Sequence, residues 1–167
     1  MDMNRLKQVQ PPPLDPIDNQ GDWENVSDLG DGLVGFPTDY KKLIERYGTF
    51  GFGDFIWVLN PFAKNPNIEL ANQMRVQRDA LATLARDYGE SIPHPIGSLV
   101  PWFITDNGDV GYWIATGDCE TWRTVVNAAR EPQWFDAHGT SVRFLCDVMS
   151  RTITVPFFPE DFPQITA

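Results

Sequence analysis

Asp106 and Asp109 bracket an Asn107-Gly108 pair in the stretch FITDNGDVGYWIA, residues 103–115. Asn-Gly is a strong hairpin signal, because both residues tolerate the positive φ of a two-residue type I′ turn. In that register the two aspartates face each other on the first rung, where like charges are mildly destabilising. Four explanations are open: a metal, a catalytic pair, a cationic partner and a plain solvated turn. A hard cation needs about six oxygen ligands, more than two turn carboxylates supply. A glycosidase needs its carboxylates set across a cleft, with a second wall opposite the hairpin. Aspartate is also a favoured turn residue in its own right. Asp54, Asp118 and Glu120 are candidates to join the pair at the same end of a sheet. With Asp106, Asn107 and Asp109 they make up the acidic set expected to contact a partner.

Other chemistries find less support. The two histidines, His94 and His138, sit beside prolines and a glycine, outside any HExxH arrangement, and no CxxC occurs. A structural zinc site is therefore not expected. Cys119 and Cys146 lie far apart and read as free thiols of a reducing cytoplasm, with one disulfide as the alternative. No GxSxG marks a serine nucleophile. Gly51 and Gly53 begin a glycine pattern, but Ile56 stands where the third glycine of a dinucleotide loop belongs. That segment also leads into a strand rather than a helix, so no phosphate cradle is expected. An enzyme built on the Asp pair would lack any supporting His, Ser or metal motif. No catalytic residue, metal or cofactor is expected.

These residues must be positioned by a domain of 167 residues, 42% hydrophobic and 13% aromatic, which suits one soluble globular unit. No apolar run is long enough for a membrane span, and the first 20 residues carry no secretory signal. The net charge is −10, with −5 in each of the segments 1–32 and 100–167 and a balanced middle. Such a surface does not suit nucleic acid, which rewards clustered Lys and Arg. It does steer a cationic protein partner. Nothing in the sequence sets an oligomeric state.

Residues 1–20, with QPPPLDP, read as a flexible tail, and residues 21–167 as the domain. A short helix is expected over 22–29, broken by glycines 30, 32 and 35. In FPTDYKKLIERYG, Tyr40, Leu43, Ile44 and Tyr47 share one helical face, with Thr38 as cap, Asp39 in the first turn and Gly48 at the end. Phe55 to Leu59 reads as a buried strand. Asn65-Pro66 then reads as the start of a long amphipathic helix through Leu70, Met74, Leu81, Leu84 and Tyr88, closed by Gly89. SIPHPIG is a loop. Strands follow at about 101–105, 110–116, 122–128 and 133–136, and a last helix at about 140–150 faces inward with Val142, Leu145, Cys146 and Met149. The type I′ register also pairs Trp102 with Trp113. TITVPFFPEDFP reads as an apolar tail packed on the body. The order points to an α+β fold, with flanking helices on an antiparallel or mixed sheet.

Taken together, FPTDYKKLIERYGTFGFGDFIWVLNPF, LVPWFITDNGDVGYWIA, WRTVVNAAREPQW and a helix before VPFFPEDFP resemble the SUKH superfamily, whose members carry SMI/KNR-type names. The likeness covers roughly residues 22 to 163. It implies a single α+β domain without catalytic residues. Bacterial members are immunity proteins that bind and neutralise a cognate toxin domain, often a nuclease. Fungal relatives are regulatory scaffolds for signalling and cell-wall synthesis. The expectation is therefore a cytoplasmic immunity protein with a basic toxin as partner. The alternative is a scaffold that binds a signalling or cell-wall-synthesis protein.

Overall fold

The computed structural model describes residues 2–26 and 35–164. Helices α1 (Asp2–Val9) and α2 (Thr38–Tyr47) precede strands β1 (Gly51–Phe52) and β2 (Ile56–Val58). Helix α3 (Leu70–Asp87) follows, then β3 (Leu99–Thr105), β4 (Val110–Ile114), β5 (Arg123–Asn127), β6 (Trp134–Asp136) and helix α4 (Ser141–Met149). The six strands pair in chain order, every pairing antiparallel. Sequential strands tend to be neighbours, and here β2 and β3 pair even though α3 lies between them in the chain. The fold is α+β, and of the two expected sheet types the antiparallel one is found.

Helices cover both faces of the sheet. On one, Tyr40, Leu43 and Ile44 of α2 and Phe144, Leu145 and Val148 of α4 share a core with Val100, Phe103, Trp113 and Val126. On the other, Leu81 of α3 packs with Leu99, Tyr112, Ile114 and Val125. The apolar stripe read for α2 is buried at all four positions, and Gly48 leaves the helix at φ 64°. Leu70, Met74 and Leu81 of α3 are buried, whereas Tyr88, one residue past the helix, is 77% exposed.

Caps are where local expectation and tertiary structure part. Thr38 is already inside α2 and makes no cap; its N–H and hydroxyl both donate to Glu120 Oε1, at 2.8 and 2.7 Å. Asp39 lies in the first turn of α2, as expected, and its Oδ2 also accepts the Val142 N–H at 2.9 Å and so caps α4. Asn65 Oδ1 accepts from Asn67 N–H, forming a local turn, and α3 begins only at Leu70 with Glu69 as its cap. Side chains from distant parts of the chain thus satisfy the orphan donors of two helix ends.

The N-terminal segment departs furthest from expectation. Residues 2–9 form a helix that packs on α4, with Leu6 completely buried. The Cys146 thiol donates to Asp2 O at 2.8 Å, and Tyr47 Oη donates to Gln10 O at 2.7 Å. One buried leucine among polar neighbours gives no readable period, so the prolines dominated the sequence signal. Leu6→Ala is expected to lower the unfolding free energy by about 2 to 3 kcal/mol, measured by urea denaturation. Of the helix expected at 22–29, a single 3-10 turn at Trp23–Asn25 is seen; residues 27–29 and glycines 30 and 32 lie outside the described residues.

Candidate functional site

The Asn107-Gly108 turn is built differently from the two-residue hairpin. Gly108 alone of the pair has positive φ, 92°, whereas a type I′ turn needs it at both central residues. The Thr105 N–H donates to Asp109 O at 3.0 Å and the Gly108 N–H to Thr105 O at 2.9 Å, which leaves residues 106–108 as a three-residue loop. Thr105 now stands opposite Asp109, and Asp106 faces nothing across the rung. A bulge between Pro101 and Phe103 then sets Val100, not Trp102, opposite Trp113. The two indoles still stack, 6.0 Å between centroids and 11° between planes.

This one-residue change sends the two carboxylates apart. Asp109 is buried, 3% exposed. Its Oδ2 accepts from Thr105 Oγ1 at 2.8 Å and its Oδ1 from the Ala129 N–H at 2.9 Å. It ties the β3–β4 turn to the segment after β5 and has no oxygen facing a partner. Asp106 is exposed, and its Oδ1 accepts from Trp57 Nε1 at 2.9 Å. Asn107 is exposed at the tip.

The remaining members of the acidic set divide between the two ends of the sheet. Ile56 pairs with Thr105, and the Asp106 N–H donates to Phe55 O at 3.1 Å, so the β1–β2 turn carrying Asp54 lies beside the Asp106 turn. Asp118 and Glu120 follow β4, at the opposite end. There Asp118 caps a 3-10 turn at Cys119–Thr121 by accepting the Glu120 N–H, and Glu120 caps α2. The expected single cluster does not form. Asp54, Asp106 and Asn107 remain together, while Asp109, Asp118 and Glu120 hold the fold.

What gathers around Asp54 is a groove of about 940 Å³ beside the sheet edge at β1. The end of α1, the β1–β2 hairpin and the C-terminal segment form its walls, with Phe50, Phe55, Trp57 and Phe162 as aromatic lining. Asp54 and Asp161 line it, and no Lys, Arg or His does among the described residues. Two glycines permit the close packing. A Cβ on Gly51 would meet the Trp57 ring at 2.7 Å, and one on Gly53 would meet the Phe162 ring at 2.7 Å. Asp54 itself sits at φ 52°, a left-handed conformation that Asp tolerates better than most residues. Gln10, after α1, braces the hairpin by accepting the Gly53 N–H at 3.0 Å.

No local signal in the sequence marks this groove. Asp161 and Phe162 lie in a proline-rich stretch with no period to place them, and α1 was not foreseen. Among the strand tryptophans 57, 102, 113 and 134, Trp57 and Trp134 keep exposed surface, and Trp57 is the one that lines the groove. Both thiols are held away from the thiolate form. Burial pushes Cys146 up to about 11, and burial with nearby Glu120 and Asp118 raises Cys119. Both are free. Among the described residues no group of His, Cys, Asp and Glu is placed to hold a metal ion, and no helix is long and apolar enough to cross a membrane.

No protein-family model, no curated protein and no solved structure matches this chain.

Proposed function

We propose that this chain is a non-catalytic immunity protein of the SUKH type, which binds a basic toxin domain in the cytoplasm and covers the surface the toxin needs. The observation that carries the reading is the groove at the β1 edge, where Asp54 and Asp161 stand among aromatic rings and no Lys, Arg or His of the described residues lines it. Aromatic residues make binding hot spots, and uncompensated carboxylates steer a cationic partner toward them. A nuclease that grips phosphates with Lys and Arg presents the complementary charge, so one acidic face competes with its substrate. The net charge of −10 acts in the same direction at longer range.

If a toxin gene lies immediately upstream, coexpression of this chain with its toxin domain is expected to restore growth to cells that the toxin alone kills. The two chains should then copurify as a complex that weakens as salt rises. Failure to protect, with the chain folded and abundant, removes the immunity reading. Copurification with a signalling or cell-wall-synthesis protein in place of a toxin supports the scaffold reading.

A further inference from the structure

We infer that the groove beside β1 receives an arginine side chain carried on an extended segment of the protein partner, an inference that rests on the binding role proposed above. Charge is the first reason. Asp54 accepts no hydrogen bond and joins no ion pair among the described residues, so both its oxygens are free for an incoming donor. Asp161 shares one oxygen with Gln164 Nε2 at 3.1 Å and keeps the other.

The aromatic lining is the second reason, and it separates arginine from lysine. Trp57 is fixed before any partner arrives: its N–H is given to Asp106 Oδ1 at 2.9 Å, and its ring lies across Gly51. With the indole donor used internally, what the partly exposed Trp57 ring adds to the groove is aromatic surface. A guanidinium is planar, weakly hydrated and stacks on such a surface while its fork of donors reaches a carboxylate. An ammonium is compact and strongly hydrated, and gains less from flat walls. A bare metal ion fits poorly, since Asp54 and Asp161 fall short of the oxygen ligands a hard cation takes. The cavity, about 940 Å³, is larger than one side chain fills, which suits a segment lying along the edge rather than a free amino acid.

The test is a ¹H–¹⁵N NMR titration of the full chain with acetyl-Ala-Arg-Ala-amide, using the citrulline peptide as the neutral isostere and the lysine peptide as the second cation. Saturable shifts are expected at the Trp57 indole N–H and the amides of Gly51, Gly53 and Asp54. The lysine peptide should bind more weakly and the citrulline peptide not at all. The Asp54→Asn/Asp161→Asn double variant should lose about tenfold in affinity, a screened loss for two exposed pairs. Asparagine tolerates the left-handed turn, so its spectrum should otherwise superimpose on the parent's. Absent or non-saturable shifts, equal shifts with the citrulline peptide, or shifts centred on Asp118 would overturn the inference. The coexpression assay keeps the two levels apart. If the double variant protects cells as well as the parent and binds the toxin equally tightly, the arginine groove falls and the immunity role stands. If the peptide binds as expected but the parent chain gives no protection, the groove stands and the immunity role falls.

Discussion

Replacing Asp109 by alanine is expected to lower the unfolding free energy by about 3 kcal/mol, because it strands two donors at once, one buried and one partly buried. The Thr105 hydroxyl and the Ala129 N–H both lose their acceptor. The Asp109 N–H also donates to Thr105 Oγ1 at 3.1 Å, so residue 109 and Thr105 close a small ring that the substitution opens. Urea denaturation reads the effect directly. Asp106→Ala is the matched control: it removes one bond to the half-exposed Trp57 indole and should cost about 1 kcal/mol or less. Equal losses in the two variants would contradict the division of labour within this turn. The result matters for any binding experiment too. Charge reversal at Asp109 would report unfolding and would be misread as lost affinity, so Asp54 and Asp161 are the positions to change.

Gly111→Ala is expected to cost about 3 kcal/mol, at the upper end for overpacking. Gly111 lies within β4 opposite Phe103, and a Cβ there would come to 1.8 Å from the Phe103 ring. The ring has nowhere to go. Phe103 is fully buried, with Phe144 stacked on it at 5.1 Å and Trp102 edge-on at 4.8 Å. Thermal unfolding of the variant should show a lower midpoint. Gly111→Ala combined with Phe103→Leu should recover part of the loss, since the smaller side chain vacates the space the new methyl needs. Failure of that rescue would mean that the cost lies in the strand backbone and not in the ring contact.

Much of the fold was legible because its signals are local. The helical spacing of Tyr40, Leu43, Ile44 and Tyr47 needs only the geometry of one helix, and so does the inward face of α4. The order of the strands from β3 to β6 follows from short connections between successive apolar runs, whereas β1 and the pairing of β2 with β3 across α3 carry no such local signal. The same meander already contained a correction to the acidic set. Strand β4 carries the chain from the Asp109 turn to the far end of the sheet, so Asp118 and Glu120 cannot sit beside Asp106. The hairpin register was less accessible. Asn-Gly serves both two-residue and longer loops, and the choice rests on whether the aspartate next to it finds buried donors.

By itself the sequence determined the class of the fold, the helix stripes, the acidic charge and the candidate turn. Those properties come from composition and from contacts a few residues apart. Only the tertiary structure decided which carboxylates stay open to solvent. Asp109 and Glu120 are taken up by donors on remote segments, the Ala129 N–H for one and the Thr38 N–H for the other. Asp161 meets Asp54 across a groove because α1 and the C-terminal segment both close on the β1 edge. No periodicity encodes such a meeting. It follows from the packing of Leu6 at one end of the chain and of Val155 and Phe158 at the other, where burying apolar surface brings distant residues together.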